Sequence, residues 1–210
     1  MNEDFLKALT YEKSQFPRAD EFYRRVLNGP MNKIKITRWD YQLNDVHRRM
    51  QEDGVDVTIE NELASNEYER RIVNISEKFR TSDFGDMFIE LYSKFPNVIG
   101  WGLKEKADLV AYFTPWHTYI IDNDQLKKVV QAISDELDTE TLTEGLKEAR
   151  CFQYIYKDKI MEVRKVPTHH NGKVAWEGVG ICIKWDDLKD LGVTIAKYDR
   201  YERKNLFGKH

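Results

Sequence analysis

Two stretches decide the reading of this chain: Gly54-Val55-Asp56-Val57-Thr58-Ile59-Glu60 and Asn74-Ile75-Ser76-Glu77-Lys78-Phe79-Arg80. The first alternates with period two and is β-branched from Val55 to Glu60, the pattern of a half-buried strand. The second closes a longer apolar run from Tyr68 to Phe79, through Ile72, Val73 and Ile75, which reads as a neighbouring strand. Asn61 to Asn66 is a polar turn between them, so the pair is expected to form an antiparallel hairpin. Side chains alternate across a strand, so Ser76 and Lys78 share one face and Glu77 takes the other, unless a bulge turns it.

Working outward, Ala19 to Leu27 reads as a helix stopped by Asn28-Gly29-Pro30, and Trp39 to Met50 as a second helix ended by Gly54. Met87 to Tyr92, Ala107 to Phe113 and Tyr119 to Ile121 follow as strands; the second of these is apolar apart from Asp108, as expected when both faces are covered. Asp124 is expected to cap a helix through Leu126, Val129, Val130 and Ile133, and an acidic helix spans Thr141 to Ala149. Strands about Phe152 to Val163 and Val174 to Lys184 precede a short helix starting near Trp185. The expected fold class is α/β, a central mixed β-sheet flanked by helices. One domain over residues 1–210 is expected, with a core at about 40–133 and a hairpin-and-helix extension at about 150–210.

Composition narrows the classes. Charged residues make up 33% of the 210 and hydrophobic residues 41%, with 33 Lys and Arg against 36 Asp and Glu. Aliphatic and aromatic residues are plentiful and no low-complexity stretch occurs, so disorder is not expected. No apolar run is long enough to span a bilayer, the acidic start Met1-Asn2-Glu3-Asp4-Phe5 is unlike a signal peptide, and a cytoplasmic location is the expectation. Cys151 and Cys182 cannot build a disulfide framework and are expected to pack as small apolar groups. Charge is unevenly spread: Arg18 to Arg49 holds eight bases against four acids, while Asp135, Glu136, Asp138, Glu140, Glu144 and Glu148 cluster later.

The chemistry lies between Asp45 and Glu90. An acid on one strand, with an acid and a lysine on the next, is what metal-assisted phosphodiester hydrolysis requires. Carboxylates hold Mg²⁺ (or Mn²⁺), and the lysine orients the attacking water or steadies developing charge. Asp56 followed by Ser76-Glu77-Lys78 resembles the PD-(D/E)XK nuclease superfamily. Flanking support comes from Asp45 on a preceding helix, Glu90 in an aromatic-rich strand, Gly100-Trp101-Gly102 and Ala107-Asp108-Leu109-Val110-Ala111-Tyr112. The likeness covers about residues 40 to 133 and implies a restriction-endonuclease-like core. It also implies catalysis by Asp56, Glu77 and Lys78, with metal held by Asp56, Glu77, Glu90 and Asp45. One departure stands out: the superfamily's third motif places an acid two residues before the lysine, where this chain has Ser76. Either a bulge redirects Glu77, or the acid has migrated to Glu90, or catalysis is lost.

The expected activity is therefore Mg²⁺-dependent hydrolysis of DNA. Backbone contacts are expected from Arg24, Arg25, Lys33, Lys35, Arg48, Arg49, Arg71 and Arg80, and no membrane partner is expected. The rival readings are an inactive DNA-binding or assembly module of the same fold, an RNase, and a junction resolvase, the last needing a homodimer. Each site residue also has an ordinary structural role open to it: Glu77 could pair with Arg71 or Arg80, and Lys78 could be a solvated strand residue. His169-His170-Asn171-Gly172 reads as a hairpin turn, and Trp116-His117 as packing beside Pro115.

Overall fold

Apolar alternation on the strands sets which face meets which layer. The computed structural model describes residues 3–27, 34–61, 72–170 and 173–200. It begins with α1 (Glu3–Leu27), β1 (Ile34–Arg38), α2 (Asp45–Glu52), β2 (Val57–Asn61) and β3 (Ile72–Phe79). Next come β4 (Asp86–Lys94), β5 (Val98–Ile99), α3 (Trp101–Lys104), β6 (Leu109–Phe113), β7 (His117–Asp122), α4 (Asn123–Glu136) and α5 (Thr139–Gly145). The last elements are β8 (Cys151–Tyr156), β9 (Lys159–His170), β10 (Lys173–Lys184), α6 (Trp185–Asp190) and β11 (Ile195–Asp199).

Among the described residues the strands form two sheets. The first is six-stranded in the order β1-β2-β3-β6-β7-β11, and the second five-stranded in the order β5-β4-β10-β9-β8. In the first, β3 and β6 run parallel, with Ser76 beside Val110 and Lys78 beside Tyr112, while its other pairs are antiparallel. This is an α/β arrangement on a mixed sheet. Val57, Ile59, Ile75, Ala111 and Phe113 turn one face of the sheet toward α1, where Ala19, Phe22 and Tyr23 are buried against them. Val110, Tyr112, Tyr119 and Ile121 turn the opposite face toward the main core. There they join Met87, Ile89 and Leu91 of β4, Val179, Ile181 and Ile183 of β10, and Leu126, Val130 and Ile133 of α4.

Several elements differ from the sequence expectation. The first helix starts at Glu3 and carries Pro17 inside it, well before Ala19. A proline removes one helix hydrogen bond, and the anchoring of the following turn on the sheet offsets that loss. The second helix covers only Asp45–Glu52, because Asn44 caps it by accepting the His47 N–H, and Trp39 to Leu43 is extended chain and turn. One strand was expected at Phe152 to Val163; two are present, joined through Lys157 and Asp158 at φ of 46° and 63°. Paired positive φ values make a two-residue hairpin turn. Strands β1, β5 and β11 and helix α3 were unforeseen, the single expected sheet is two, and α4 is capped by Asp122, which accepts the Gln125 N–H, rather than by Asp124. The acidic helix ends at Gly145, short of Ala149. Cys182 is buried as expected, but Cys151 is exposed on the edge strand β8. The turn residues Asn61 to Asn66, beyond Asn61 itself, and the strand start at Tyr68 lie outside the described residues. So do Asn171-Gly172, which join His170 to its partner Lys173.

Replacing Lys157 and Asp158 by Asn and Gly, which tolerate left-handed backbone, should stabilise the fold by about 1 kcal/mol. A rise in the thermal unfolding midpoint checks it.

Candidate active site

Four segments converge where β2 begins. The backbone N–H of Asp56 donates to Ile75 O at 2.9 Å, continuing the β2–β3 ladder beyond its last full pair. The Asp56 carboxylate then takes the place of a strand carbonyl. Its Oδ2 accepts the Glu77 N–H at 2.7 Å and the Ser76 hydroxyl at 3.4 Å, and its Oδ1 accepts Gln51 Nε2 at 3.0 Å. The last contact anchors the acid to α2. On the same face of β3 as Ser76, Lys78 donates through Nζ to Glu105 Oε1 at 2.5 Å and lies 4.9 Å from the centre of the Trp101 ring.

Glu105 was not foreseen. It follows α3, and its loop is tied down on both sides. The Lys106 N–H donates to Asp53 O at 2.8 Å, and Asn123 Nδ2 donates to Ala107 O at 2.7 Å. Gly54 lets the carboxylate stem in. Its φ is +77°, and a Cβ there would meet Glu105 Cγ at 2.4 Å, so only glycine fits the turn. Glu105 is 2% exposed, and its Oε2 is buried without a hydrogen-bond partner. Burial raises the Glu105 pKa; the Lys78 charge and hydrogen bond and the Ser76 hydroxyl pull it down, and Asp56 adds to the rise. Lys78 is drawn down by burial, but Glu105 and Asp56 outweigh this and hold it above its ordinary value, so it remains an ammonium ion.

Glu77 has a different place from the one expected. No bulge interrupts the β3–β6 register from Ile75 to Phe79, so alternation points it at α1. There Tyr23 Oη donates to its Oε1 at 2.9 Å, and Arg38 Nη1 donates to its Oε2 at 2.6 Å. Arg38 also donates through Nε and Nη2 to Asp20 Oδ1, at 3.0 and 2.6 Å. Both Glu77 oxygens are thus engaged in joining α1, β1 and β3. Burial raises the Glu77 pKa, with Arg38 and Tyr23 opposing.

Glu90 lies on β4 in the second sheet. Burial raises its pKa, while the Trp101 N–H and the nearby Lys78 and Lys104 charges lower it, and it makes no hydrogen bond to Lys78. Asp45 is far more open, with 82% of its side chain exposed, and pairs with Arg48 at 3.2 Å. From α1, Glu12 enters the electrostatic neighbourhood: desolvation and then Asp56 raise its pKa, and Lys78 lowers it. Among the proposed DNA contacts, Arg24, Arg25 and Arg49 are exposed, and Lys35 is 3.8 Å from Glu60. Arg80 is committed to Asp86 at 2.5 Å and lies over Phe84, so it braces the β4 entry. Lys33 and Arg71 lie outside the described residues.

Elsewhere, His117 is flanked by Asp83 at 2.9 Å and Asp199 at 3.2 Å, which joins β7 to β11 and to the chain before β4. Trp116 is 56% exposed.

Two outcomes follow. Arg38→Ala leaves the Glu77 charge buried without its cation and should lower stability by about 3 kcal/mol, while Glu77→Gln, which keeps the shape and one of the two acceptors, should cost less; chemical denaturation compares them. A raised Glu90 pKa means the folded chain holds that proton more tightly, so its contribution to stability falls as pH rises from the ordinary glutamate range through the folded value. Glu90→Gln should therefore unfold at a higher temperature than the parent near neutral pH, and the difference should vanish in acid. No known protein family, curated protein or solved structure matches the chain.

Proposed function

We propose that this chain is a Mg²⁺-dependent nuclease hydrolysing DNA phosphodiester bonds on a restriction-endonuclease-like core. The observation that carries the reading is the buried Glu105 carboxylate: one oxygen is on Lys78, the other makes no hydrogen bond of good geometry although the Ser76 hydroxyl is near enough to lower the pKa, and the group is electrostatically coupled to Asp56. An unpaired buried carboxylate oxygen is costly unless something binds it. Glu105 also answers the departure at Ser76: the acid that strand spacing would place there arrives from the segment before β6, across the small serine side chain. The migrated acid is then Glu105, in place of Glu77 or Glu90.

The donor set fits Mg²⁺, an ion that takes one or two carboxylates and completes its shell with water and substrate phosphate. Among the described residues no group of three or more His, Cys, Asp or Glu side chains surrounds one point. Asp56 and Glu105 would hold the ion, which when bound lowers the pKa of a water and polarises the phosphate. Gln51 and the Glu77 N–H keep the Asp56 carboxylate oriented. Lys78 stays protonated, so its role is to steady negative charge on the phosphate oxygens as substrate displaces it from Glu105. Glu77 holds α1 against the sheet and stands outside the chemistry.

A second reading has one observation in its favour. The Lys78–Glu105 pair is closed at 2.5 Å, as in a structural ion pair, and a chain that never opens it would be a DNA-binding or assembly module without cleavage.

Supercoiled and linear DNA should be cut in Mg²⁺ and spared in EDTA. Asp56→Ala, Lys78→Met and Glu105→Gln should each lower the rate at least about a hundredfold, while Glu77→Gln and Glu90→Gln leave it within severalfold. Cleavage unaffected by Glu105→Gln would overturn the assignment, and metal-independent or absent cleavage would favour the binding module.

A further inference from the structure

Beside Asp56 opens a cleft of about 610 Å³, within the size range of small-molecule sites. Its walls come from α1, from the turn after β1 and from β3. Leu9, Phe16, Trp39, Tyr41 and Phe79 supply an apolar, largely aromatic lining. Tyr41 stands at the lip, 51% exposed, close to the exposed Leu43 and Val46 in the turn and on α2. Trp39 is fixed by donating Nε1–H to Thr58 at 2.8 Å, and Phe16 lies under Arg38, 4.1 Å from ring centre to guanidinium. Tyr41, with the Arg48 guanidinium 5.7 Å from its ring centre, is exposed and the other rings are half-buried, and beside a proposed catalytic acid they suit an occupant with flat, uncharged faces.

Charge narrows the occupant further. The cleft carries Glu12, Asp40, Asp56 and Glu77 against Lys13 and Arg38, and Arg38 is already shared between Asp20 and Glu77. Phosphate is repelled from such an interior, whereas a neutral base is not, and carboxylates accept hydrogen bonds from the exocyclic amino groups of bases. Duplex DNA buries its base faces in the stack and cannot offer one without unpairing. Single strands present them freely, and aromatic side chains hold them by stacking.

We propose that this cleft receives an unpaired base, so that the substrate is single-stranded DNA, the base seated against Phe16 and Tyr41 while the adjoining phosphate stays at the rim, toward the ion that Asp56 and Glu105 would hold. This rests on the nuclease reading for the identity of the polymer, and the experiment separates the two. Fluorescence anisotropy of a labelled single-stranded oligonucleotide and of its duplex, in EDTA, should give at least about tenfold tighter binding of the single strand. Tyr41→Ala should reduce that ratio toward one, and Tyr41→Phe, which keeps the ring, should preserve it. Tyr41 is exposed in a turn, so both variants should fold. Cleavage of each substrate in Mg²⁺ is measured alongside. Equal affinity for both forms, or a ratio indifferent to Tyr41→Ala, overturns the base-binding cleft even if Asp56-dependent cleavage is found. A ratio that follows Tyr41 with no cleavage of either substrate upholds the cleft and removes the nuclease.

Discussion

The Lys78–Glu105 ion pair, seated against a residue with no side chain, constrains the middle of this molecule more than any other contact. A carboxylate at 2% exposure is costly to keep charged without a cation, and here the cation comes from the strand it faces. That requirement aligns three separate segments. Gly54 turns the chain into β2 and leaves room for the Glu105 stem, β3 brings Lys78, and α3 delivers Glu105 just before β6 enters in parallel. Once those are aligned, Asp56 has no choice of position, because its carboxylate completes the ladder by accepting the Glu77 N–H.

A second polar node lies across the sheet. Glu77, Arg38, Asp20 and Tyr23 join α1 to β1 and β3 on the face opposite Lys78. Neighbouring residues of one strand thus serve two unlike tasks: Ser76 and Lys78 face the candidate chemistry, and Glu77 between them faces structure. Period-two alternation lets one short segment do both. Among the described residues the side chains of the two nodes share no hydrogen bond, yet Asp56 and Glu77 border one cleft and the nodes feel one another electrostatically.

Much of this was legible in the residues, and the failures have physical causes. The β2–β3 pairing follows from Val57, Ile59 and Ile75 alternating with polar neighbours, and the opposite facing of Glu77 follows from the same period. Glu105 was invisible because it sits between Lys104 and Lys106, which reads as a solvated charge run, and because loop residues carry no periodicity. Two signals could have pointed to it: a lysine on the inward face of a strand needs an acid, and a glycine at a strand entry marks a close approach. The front half of α1 was missed because Pro17 interrupts a stretch whose charges mask its apolar stripe. β1 shows a period of two in Ile34 and Ile36, but its alternating Lys35 drew it into a basic patch instead. The Lys157-Asp158 turn lacks the usual Asn-Gly signal, so β8 and β9 read as one strand.

The parallel pairing of β3 with β6 has a kinetic side. The chain between them builds β4, β5 and α3, and β4 pairs with β10 of the second sheet. Neither sheet can be completed from consecutive segments alone, since the first also waits for β11 and the second for β8, β9 and β10. Loop-closure entropy is lost before such distant pairings return any stabilisation, which slows folding relative to chains of local contacts. While β6 is undocked, Lys78 has no Glu105 and the acids at Asp56 have no cation beside them. The charged centre therefore waits for β6, and a chain emerging during synthesis stays without it until about half of its length is available.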